Sequence, residues 1–451
     1  MRLTISNTKE AALLFLGDIS ILAFSLWATL FLRYFEVPSR DLFVLHAIPF
    51  TFLFAVWFVV FFIAGLYDKH TLLFKEKLPS TILYTQISNI IIAALFFFFV
   101  PYFGITPKTN LVIYLMVSFT LIVVWRLWLF ERCLQFLGGG RRQRALLIGS
   151  GPEIEELKQE VNNNSRYPFE FAFHVRPEDV ENSVELQGKL LSYVSAGEVS
   201  VIVGDSWSPA FGSLTSFLSN LAFIETQAHF IDSTALYENI FDRIPLSLIH
   251  SNWFLENVST TPQHVFDFIK RSMDILAGLM LTFVAAVVYL FVAIFIKLDD
   301  GGPIFFIAER VGKDNSPLKL FKFRSMSLTE AEKVTAVGHY LRKFRIDELP
   351  QSWNLLIGDV SLIGPRPESP RLVQHYAERI EHYNVRHRIK PGLSGWAQIK
   401  EYDVPRRNVV DIERTRNKLS YDLYYIKNRS LMLDVHIALK TIKTLVSRSG
   451  T

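Results

Sequence analysis

Four apolar runs open the chain, approximately Ala11 to Leu32, Ile48 to Leu66, Ile82 to Phe103 and Leu111 to Leu129. Each is close to the ~20 residues a helix needs to cross the hydrocarbon core. They predict a four-helix transmembrane domain over residues 1–135. Asp18 lies inside the first run, no small-residue cleavage site follows it, and further spans come after, so this run is expected to remain as a helix rather than to be cleaved. Asp18 is expected to face the bundle interior rather than lipid. Arg2 and Lys9 precede the first run, Lys69, Lys75 and Lys77 separate the second from the third, and Arg141, Arg142 and Arg144 follow the fourth. Cations gather on the cytoplasmic side of a membrane, so these three groups are read as cytoplasmic.

Past Gly138-Gly139-Gly140 the pattern changes to short apolar runs separated by polar helical stretches such as Glu153 to Val161. RALLIGSG, FEFAFHV, VSVIVGD and QAHFIDS read as strands, which predicts a Rossmann-like α/β domain over residues 141–254. The Gly149-Ser150-Gly151 turn between a strand and a helix resembles a dinucleotide loop, but Ile154 occupies the third glycine position. Both a nucleotide site and a tight turn in a regulatory or oligomerisation domain fit that pattern.

A fifth apolar run, Ile275 to Ile296, is bracketed by Lys270-Arg271 and Lys297 and introduces a basic region that extends to Thr451. If it crosses the membrane, everything after Asp299 lies outside; if it dips in and returns, the C-terminal domain stays with the Rossmann-like one. The C-terminal stripe Leu431, Val435, Leu439, Ile442 and Val446 suits one helix face, either interfacial or packed in a core.

Composition agrees with this division. The chain has 451 residues, 50% of them hydrophobic, with 39 Phe and a mean hydropathy of +0.25, which excludes a single-domain cytosolic enzyme. A net charge of only +4 makes no case for nucleic acid, while the local basic clusters suit anionic lipid or phosphorylated substrates. The single cysteine, Cys133, excludes an internal disulfide and any cysteine-based metal site.

Candidate chemistry concentrates in FRIDELPQSWNLLIGDVSLIGPRP, residues 344–367. Alone, the adjacent Asp347 and Glu348 would be an ordinary surface pair. Their neighbours include Glu309-Arg310-Val311-Gly312 and the LKLFKFRSM run, which reads as a strand with Lys322 and Arg324 on one face at period two. Arg345 precedes the pair, and Arg366 sits between two prolines that fix its backbone. Arginine suits sites that must hold two phosphate oxygens at set angles. Pro350 suits a helix first turn, which places the acids at a helix start. Each carboxylate–phosphate charge pair at ~4 Å costs about 1 kcal/mol in water and about 4 at an effective dielectric of ~20. A divalent cation is therefore expected, and an oxygen-only site with nucleotide phosphates points to Mg2+. An aspartate, ionised near neutrality, can then act as a nucleophile.

The stretch from Phe268 to Ser447, through KRSMDI, IKLDDGGPIFF, ERVG, KFRSM, LRKFRIDELPQ, GDVSLIGPRP and RHRIKPGLSGWAQI, resembles the bacterial polyprenyl-phosphate sugar-1-phosphate transferases. It is similar to their large, Rossmann-bearing monotopic type, which initiates exopolysaccharide, capsule or O-antigen assembly. The resemblance implies a membrane protein with an α-helical transmembrane bundle, a soluble α/β Rossmann-like domain, and a mixed, mainly α catalytic domain over residues 264–451 with a re-entrant membrane helix at about 273–298. It implies that Asp347 attacks the sugar-bearing phosphate of a UDP-sugar, releasing UMP, and that polyprenyl phosphate collects the phosphosugar. Glu348 would help bind Mg2+, and Arg310, Lys322, Arg324, Arg345 and Arg366 would steady phosphates. The expected setting is the bacterial cytoplasmic (inner) membrane, with membrane lipids as partners, soluble domains in the cytoplasm, and a homodimer formed through the membrane and Rossmann-like domains. Such re-entrant helices break at a Ser-Pro pair, whereas this chain has Ala286-Val287 there. A membrane nucleotide-sugar dehydratase or epimerase would need a Tyr-x-x-x-Lys pair, and none of the 16 tyrosines has lysine four residues on. A non-catalytic scaffold of polysaccharide machinery is the other alternative.

Overall fold

The computed structural model describes residues 7–67, 78–100, 108–138, 142–164, 167–205, 229–249, 253–254, 257–258, 264–328, 333–401 and 411–446. The expected cytoplasmic cations Arg2, Lys69, Lys75, Lys77 and Arg141 lie outside them.

Residues 7–138 form one compact unit of four long helices, α1 (Asn7–Tyr34), α2 (Arg40–Ala64), α3 (Leu78–Phe99) and α4 (Lys108–Gly138). Each contains a stretch long and apolar enough to cross a membrane. Leu22, Phe50, Trp57, Ile82 and Tyr114 fill the core, while Phe52, Phe98 and Met116 are exposed, so the bundle is apolar outside as well as inside. Asp18 does point inward: it is fully buried, paired with Arg126 at 2.5 Å, and accepts from Tyr67 Oη at 2.9 Å. Arg126 also donates to the Leu66 carbonyl at 2.6 Å, tying α1, α4 and the end of α2 together. Breaking one partner of such a pair would strand a charge in the bundle.

The second unit begins with a four-stranded parallel sheet in the order β2-β1-β3-β4, formed by β1 (Gln143–Ile148), β2 (Phe169–Val175), β3 (Val201–Gly204) and β4 (His229–Asp232). Helices α5 (Pro152–Asn163), α6 (Pro177–Asn182), α7 (Val184–Ser195) and α8 (Ser233–Phe241) accompany it. All four strand runs read from the sequence are present. At the glycine turn, Ile154 is buried and its Cδ1 would lie 3.0 Å from a Cβ on Gly149, so it fills the place a third glycine would leave open. Glu153 and Glu155 occupy the first turn of α5, where a phosphate would otherwise meet backbone N–H groups. Glu153 is already committed, accepting from Ser247 N–H at 3.1 Å, and Glu156 accepts from Arg243 and from Tyr237 Oη.

Helix α9 (His264–Asp300) opens the C-terminal part, which continues through the antiparallel hairpin β5 (Phe305–Val311) and β6 (Pro317–Phe323). Then come α10 (Ala336–Lys343), α11 (Gln351–Ile357), β7 (Ser361–Ile363), α12 (Pro370–Ala377), β8 (Gly392–Ser394), α13 (Trp396–Lys400), α14 (Ile412–Lys427) and α15 (Leu431–Val446). The break expected of a re-entrant helix does not occur: α9 is helical at all of its 37 residues, through Ala286 and Val287. With no proline, nothing removes a ladder hydrogen bond there. One face of α9 is covered along its length, by Leu355 and Leu320 around Ala277 and Leu281 and by Phe323 and Leu341 around Val292 and Ile296. The opposite stripe, including Leu276, Met280, Phe283, Val287 and Phe291, is exposed. The stripe read on α15 is not its buried face: Val435 and Ile442 are exposed and Leu431 and Leu439 half-buried, whereas Ile437, off that stripe, is buried with Trp396 and Tyr425.

Candidate active site

The acidic pair lies in a short 3-10 turn, Ile346–Glu348, between α10 and α11. Arg345 enters it with a left-handed φ of 57°, reversing the chain after α10. Residues three apart eclipse in a 3-10 helix. Ile346 and Leu349 therefore share a face and pack with Phe323, Leu341, Val292 and Ile296, leaving Asp347 and Glu348 turned off that core. Pro350 caps α11 as the sequence predicts, and Gly358, at φ 92°, ends it after seven residues.

The two acids have opposite surroundings. Glu348 receives Lys322 Nζ at 3.1 Å, Arg345 Nη1 at 3.5 Å and Arg366 Nη2 at 3.9 Å. Burial alone would raise its pKa, but Lys322, Arg366 and Arg345 outweigh burial and hold it down at about 2. Asp347 is only 7% exposed, and its Oδ1 is buried without a hydrogen-bond partner. Burial, followed by the neighbouring Glu348 charge, pushes its pKa up to about 6 against the pull of Lys322, Arg342 and Arg345. The pair thus holds one fixed anion and one carboxylate with a free oxygen, next to cations that a diphosphate can share.

Each cation is carried by a different element. Lys322 is the penultimate residue of β6, and Arg310 comes from β5, across from Leu318. Burial lowers the Arg310 pKa, with Glu368, Arg366 and Glu348 as its charged neighbours. Arg366 projects from a turn clamped by backbone bonds: Gly364 N–H donates to the Ser394 carbonyl at 2.8 Å and Gly392 N–H to the Pro365 carbonyl at 2.9 Å. The two segments approach so closely that a Cβ on Gly364 would lie 2.5 Å from the Lys390 carbonyl, and one on Gly392 2.1 Å from Gly364 N. That approach explains glycine at both positions.

Arg310, Lys322, Arg345 and Arg366 therefore converge on the acids, but Arg324 does not. Strand β6 ends at Phe323, so the period-two face stops one residue early. The Arg324 guanidinium instead forks onto the Asp300 carboxylate at the end of α9, and its Nε donates to the Pro303 carbonyl at 2.6 Å. Three contributors escaped the sequence reading. Arg342, from the last turn of α10, lowers the Asp347 pKa and bonds Ser325 Oγ at 2.9 Å; Glu368 accompanies Arg310; and Arg386 backs Arg366. The basic run Arg342-Lys343 beside the acids was a visible signal for the first. The others depend on tertiary contact. Among the described residues no group of three or more His, Cys, Asp or Glu side chains is placed to hold a metal ion.

Residues 265–448 match the family model described as bacterial sugar transferase. The chain is 39% identical over 250 residues to the UDP-N-acetylgalactosamine-undecaprenyl-phosphate N-acetylgalactosaminephosphotransferase of Aeromonas hydrophila, covering 53% of this chain and 57% of that protein. It is 33% identical over 231 residues to the UDP-glucose:undecaprenyl-phosphate glucose-1-phosphate transferase of Escherichia coli (strain K12), covering 47% and 49% respectively. The match to the protein of that same name from Caulobacter vibrioides is 36% over 197 residues, 41% of this chain and 73% of that one. The chain thus spans about half the length of the first two of these relatives.

Proposed function

The chain belongs to the bacterial sugar transferase family, and on that premise we propose that it moves a sugar 1-phosphate from a UDP-sugar to polyprenyl phosphate, releasing UMP. The observation that carries this reading is the unpartnered Oδ1 of Asp347 beside a cation-ringed Glu348. In the first step an Asp347 carboxylate oxygen bonds to the sugar-bearing phosphorus. The bond from that phosphorus to the bridging oxygen breaks, and UMP leaves with the bridging oxygen and its electron pair. In the second, a phosphate oxygen of polyprenyl phosphate attacks the same phosphorus, and the bond to Asp347 breaks. The carboxylate is regenerated, and the product is a polyprenyl diphosphate sugar. No proton is required in either displacement, so the chain's contribution is placement and charge. Lys322, Arg345, Arg366 and Arg310 neutralise the phosphates, and Glu348 keeps the first three in position.

A magnesium ion fits the donor chemistry in the manner usual for that cation, through one or two carboxylates plus substrate phosphate oxygens rather than an all-protein cage. The Glu348 carboxylate is the group that would hold it, beside the buried, unpartnered oxygen of Asp347. Bound there, it would withdraw charge from the phosphates. The five long apolar helices support membrane attachment, and the cytoplasmic face of the bacterial inner membrane is the setting where UDP-sugars meet a polyprenyl carrier. The relatives' names include both N-acetylgalactosamine and glucose, so a donor panel must cover both.

The test combines purified protein, polyprenyl phosphate, magnesium and a panel of UDP-sugars, with UMP as the readout. Release of UMP with at least one donor, lost in Asp347→Asn, is expected. No UMP from any donor would refute the transferase reading, and release that survives Asp347→Asn would refute the nucleophile.

A further inference from the structure

Phe305, Phe306 and Ile307, consecutive on β5, are 47%, 52% and 49% exposed. A strand that packs one face should hide alternate residues. Successive strand side chains point to opposite faces, so Phe305 and Ile307 share one face and Phe306 lies on the other, each about half exposed. The two faces have different neighbours. On one side Phe305 stacks on Tyr289 of α9 and on Phe323, with ring centroids 5.8 and 5.5 Å apart. On the other, Phe306 is the register partner of Lys322, whose ammonium holds Glu348 at 3.1 Å. Side chains directly opposite in an antiparallel pair share a face with Cβ atoms about 4.5–5.5 Å apart. Phe306 therefore stands half exposed and one side chain away from the carboxylates, beside the cluster of cations and one residue along β5 from the contact with α9.

From this placement we infer that Phe306 is an acceptor-specificity residue, contacting the first isoprene units of polyprenyl phosphate as its phosphate enters beside Lys322. This inference rests on the transferase reading. A lipid phosphate is the ligand whose chemistry matches both features: an apolar chain for the exposed Phe306, and an anion for Lys322, Arg345 and Arg366. The UDP-sugar carries no apolar chain and has no use for Phe306. The side chain should therefore separate the two halves of the reaction, affecting collection of the phosphosugar and not its formation.

The test uses the full chain in nanodiscs. It measures the stoichiometric burst of UMP with donor alone, and then the acceptor KM with a long-chain polyprenyl phosphate and with a water-soluble phosphate carrying two isoprene units. Phe306→Ala and Phe306→Ser are expected to raise the long-chain acceptor KM on the order of tenfold, the loss expected when one large apolar contact is removed. The burst amplitude should hold at the wild-type level, and Phe306→Leu should restore most of the acceptor affinity. An acceptor KM unchanged in all three variants would overturn the inference, as would a burst that falls in parallel with it, since Phe306 would then merely support Lys322. If the wild-type protein gives no burst, it is the transferase reading that fails.

Discussion

Arg386 donates from Nη2 to the main-chain carbonyl of Arg366 at 3.3 Å, so a buried cation fixes the turn whose side chain reaches Glu348. Arg386 is 3% exposed and Asp422 on α14 is 1% exposed; they pair at 2.7 Å, and Arg386 Nη1 also donates to Tyr383 Oη at 2.6 Å. Removing one partner of such a pair leaves an uncompensated buried charge, at a cost of about 3–5 kcal/mol. Arg386→Met should destabilise the protein by that order. Adding Asp422→Leu should recover much of the loss, because an apolar pair of similar volume is tolerated. The double variant still lacks a donor for the Arg366 carbonyl, so its donor KM should stay raised. Denaturation curves and donor kinetics on the same three proteins check both halves of this expectation.

The contrast between Asp347 and Glu348 sets a pH dependence. The proposed attack requires an ionised Asp347, and its pKa is pushed up to about 6 by burial and by Glu348. The rate of UMP release should therefore rise with pH along an acid limb centred near 6. In Glu348→Gln the neighbouring negative charge is gone and Lys322, Arg345 and Arg366 are released from it, so the limb should move to lower pH. Activity should fall as well, because those cations lose their anchor. A limb that moves upward would mean that Glu348 does not act on Asp347 through charge.

The same raised pKa has a stability sign. A carboxyl whose folded pKa lies above its ordinary value stabilises the fold while protonated, below about 4, and loses that contribution as pH rises through about 6. At neutral pH the wild-type protein therefore carries a buried charge that Asp347→Asn does not. The variant should be inactive yet more stable, by on the order of 2–3 kcal/mol in the presence of EDTA. Thermal melts at pH 4 and pH 7.5 should show the two proteins converging at the lower pH. A constant gap at both would trace the difference to packing instead.

Much of this architecture was legible because periodicity is local. The four opening helices, the four parallel strands and the helix start after Pro350 all follow from spacing within a few residues. Alternation along the LKLFKFRSM run puts Arg324 on the face of Lys322, but β6 ends at Phe323 and the Arg324 guanidinium turns onto Asp300. The Arg386–Asp422 pair joins residues that no local period connects, and Glu368 reaches Arg310 through the folding of β5 against the segment after the Arg366 turn, where Val311 N–H donates to the Glu368 carbonyl at 2.9 Å. Such contacts depend on tertiary packing, which composition and spacing do not encode.

Arg324 and Asp300 should behave as one unit. Arg324→Ala and Asp300→Asn each break the fork that holds the end of α9 to β6, so each should lower thermal stability, and the double variant should be little worse than either alone. Donor KM should stay within about twofold of wild type in all three. If Arg324 touches phosphate directly, its variant alone would raise donor KM tenfold or more, and Asp300→Asn would not follow it.

The ends of α9 decide the topology. At 37 residues the helix is about 55 Å long, enough to cross the ~30 Å hydrocarbon core. Near its start, Arg271 donates to the Leu355 carbonyl at 2.7 Å, and Asp274 accepts from Ser361 Oγ at 3.0 Å and from Leu362 N–H at 2.8 Å. At its end, Asp299 accepts from Val337 N–H at 3.0 Å, and Asp300 holds Arg324. Those partners belong to one catalytic domain, whose polar backbone and side chains cannot be divided by a bilayer without unpairing them. The helix should therefore lie with its exposed stripe in lipid and both ends on one side. Cys133 is the single cysteine, so a Cys133→Ser background permits single labels at Val265→Cys and Ser316→Cys, both exposed positions. A membrane-impermeant maleimide should modify both in inverted vesicles and neither in intact cells. Modification of the two from opposite sides would mean that α9 crosses and that the bonds at one of its ends are not made in the membrane.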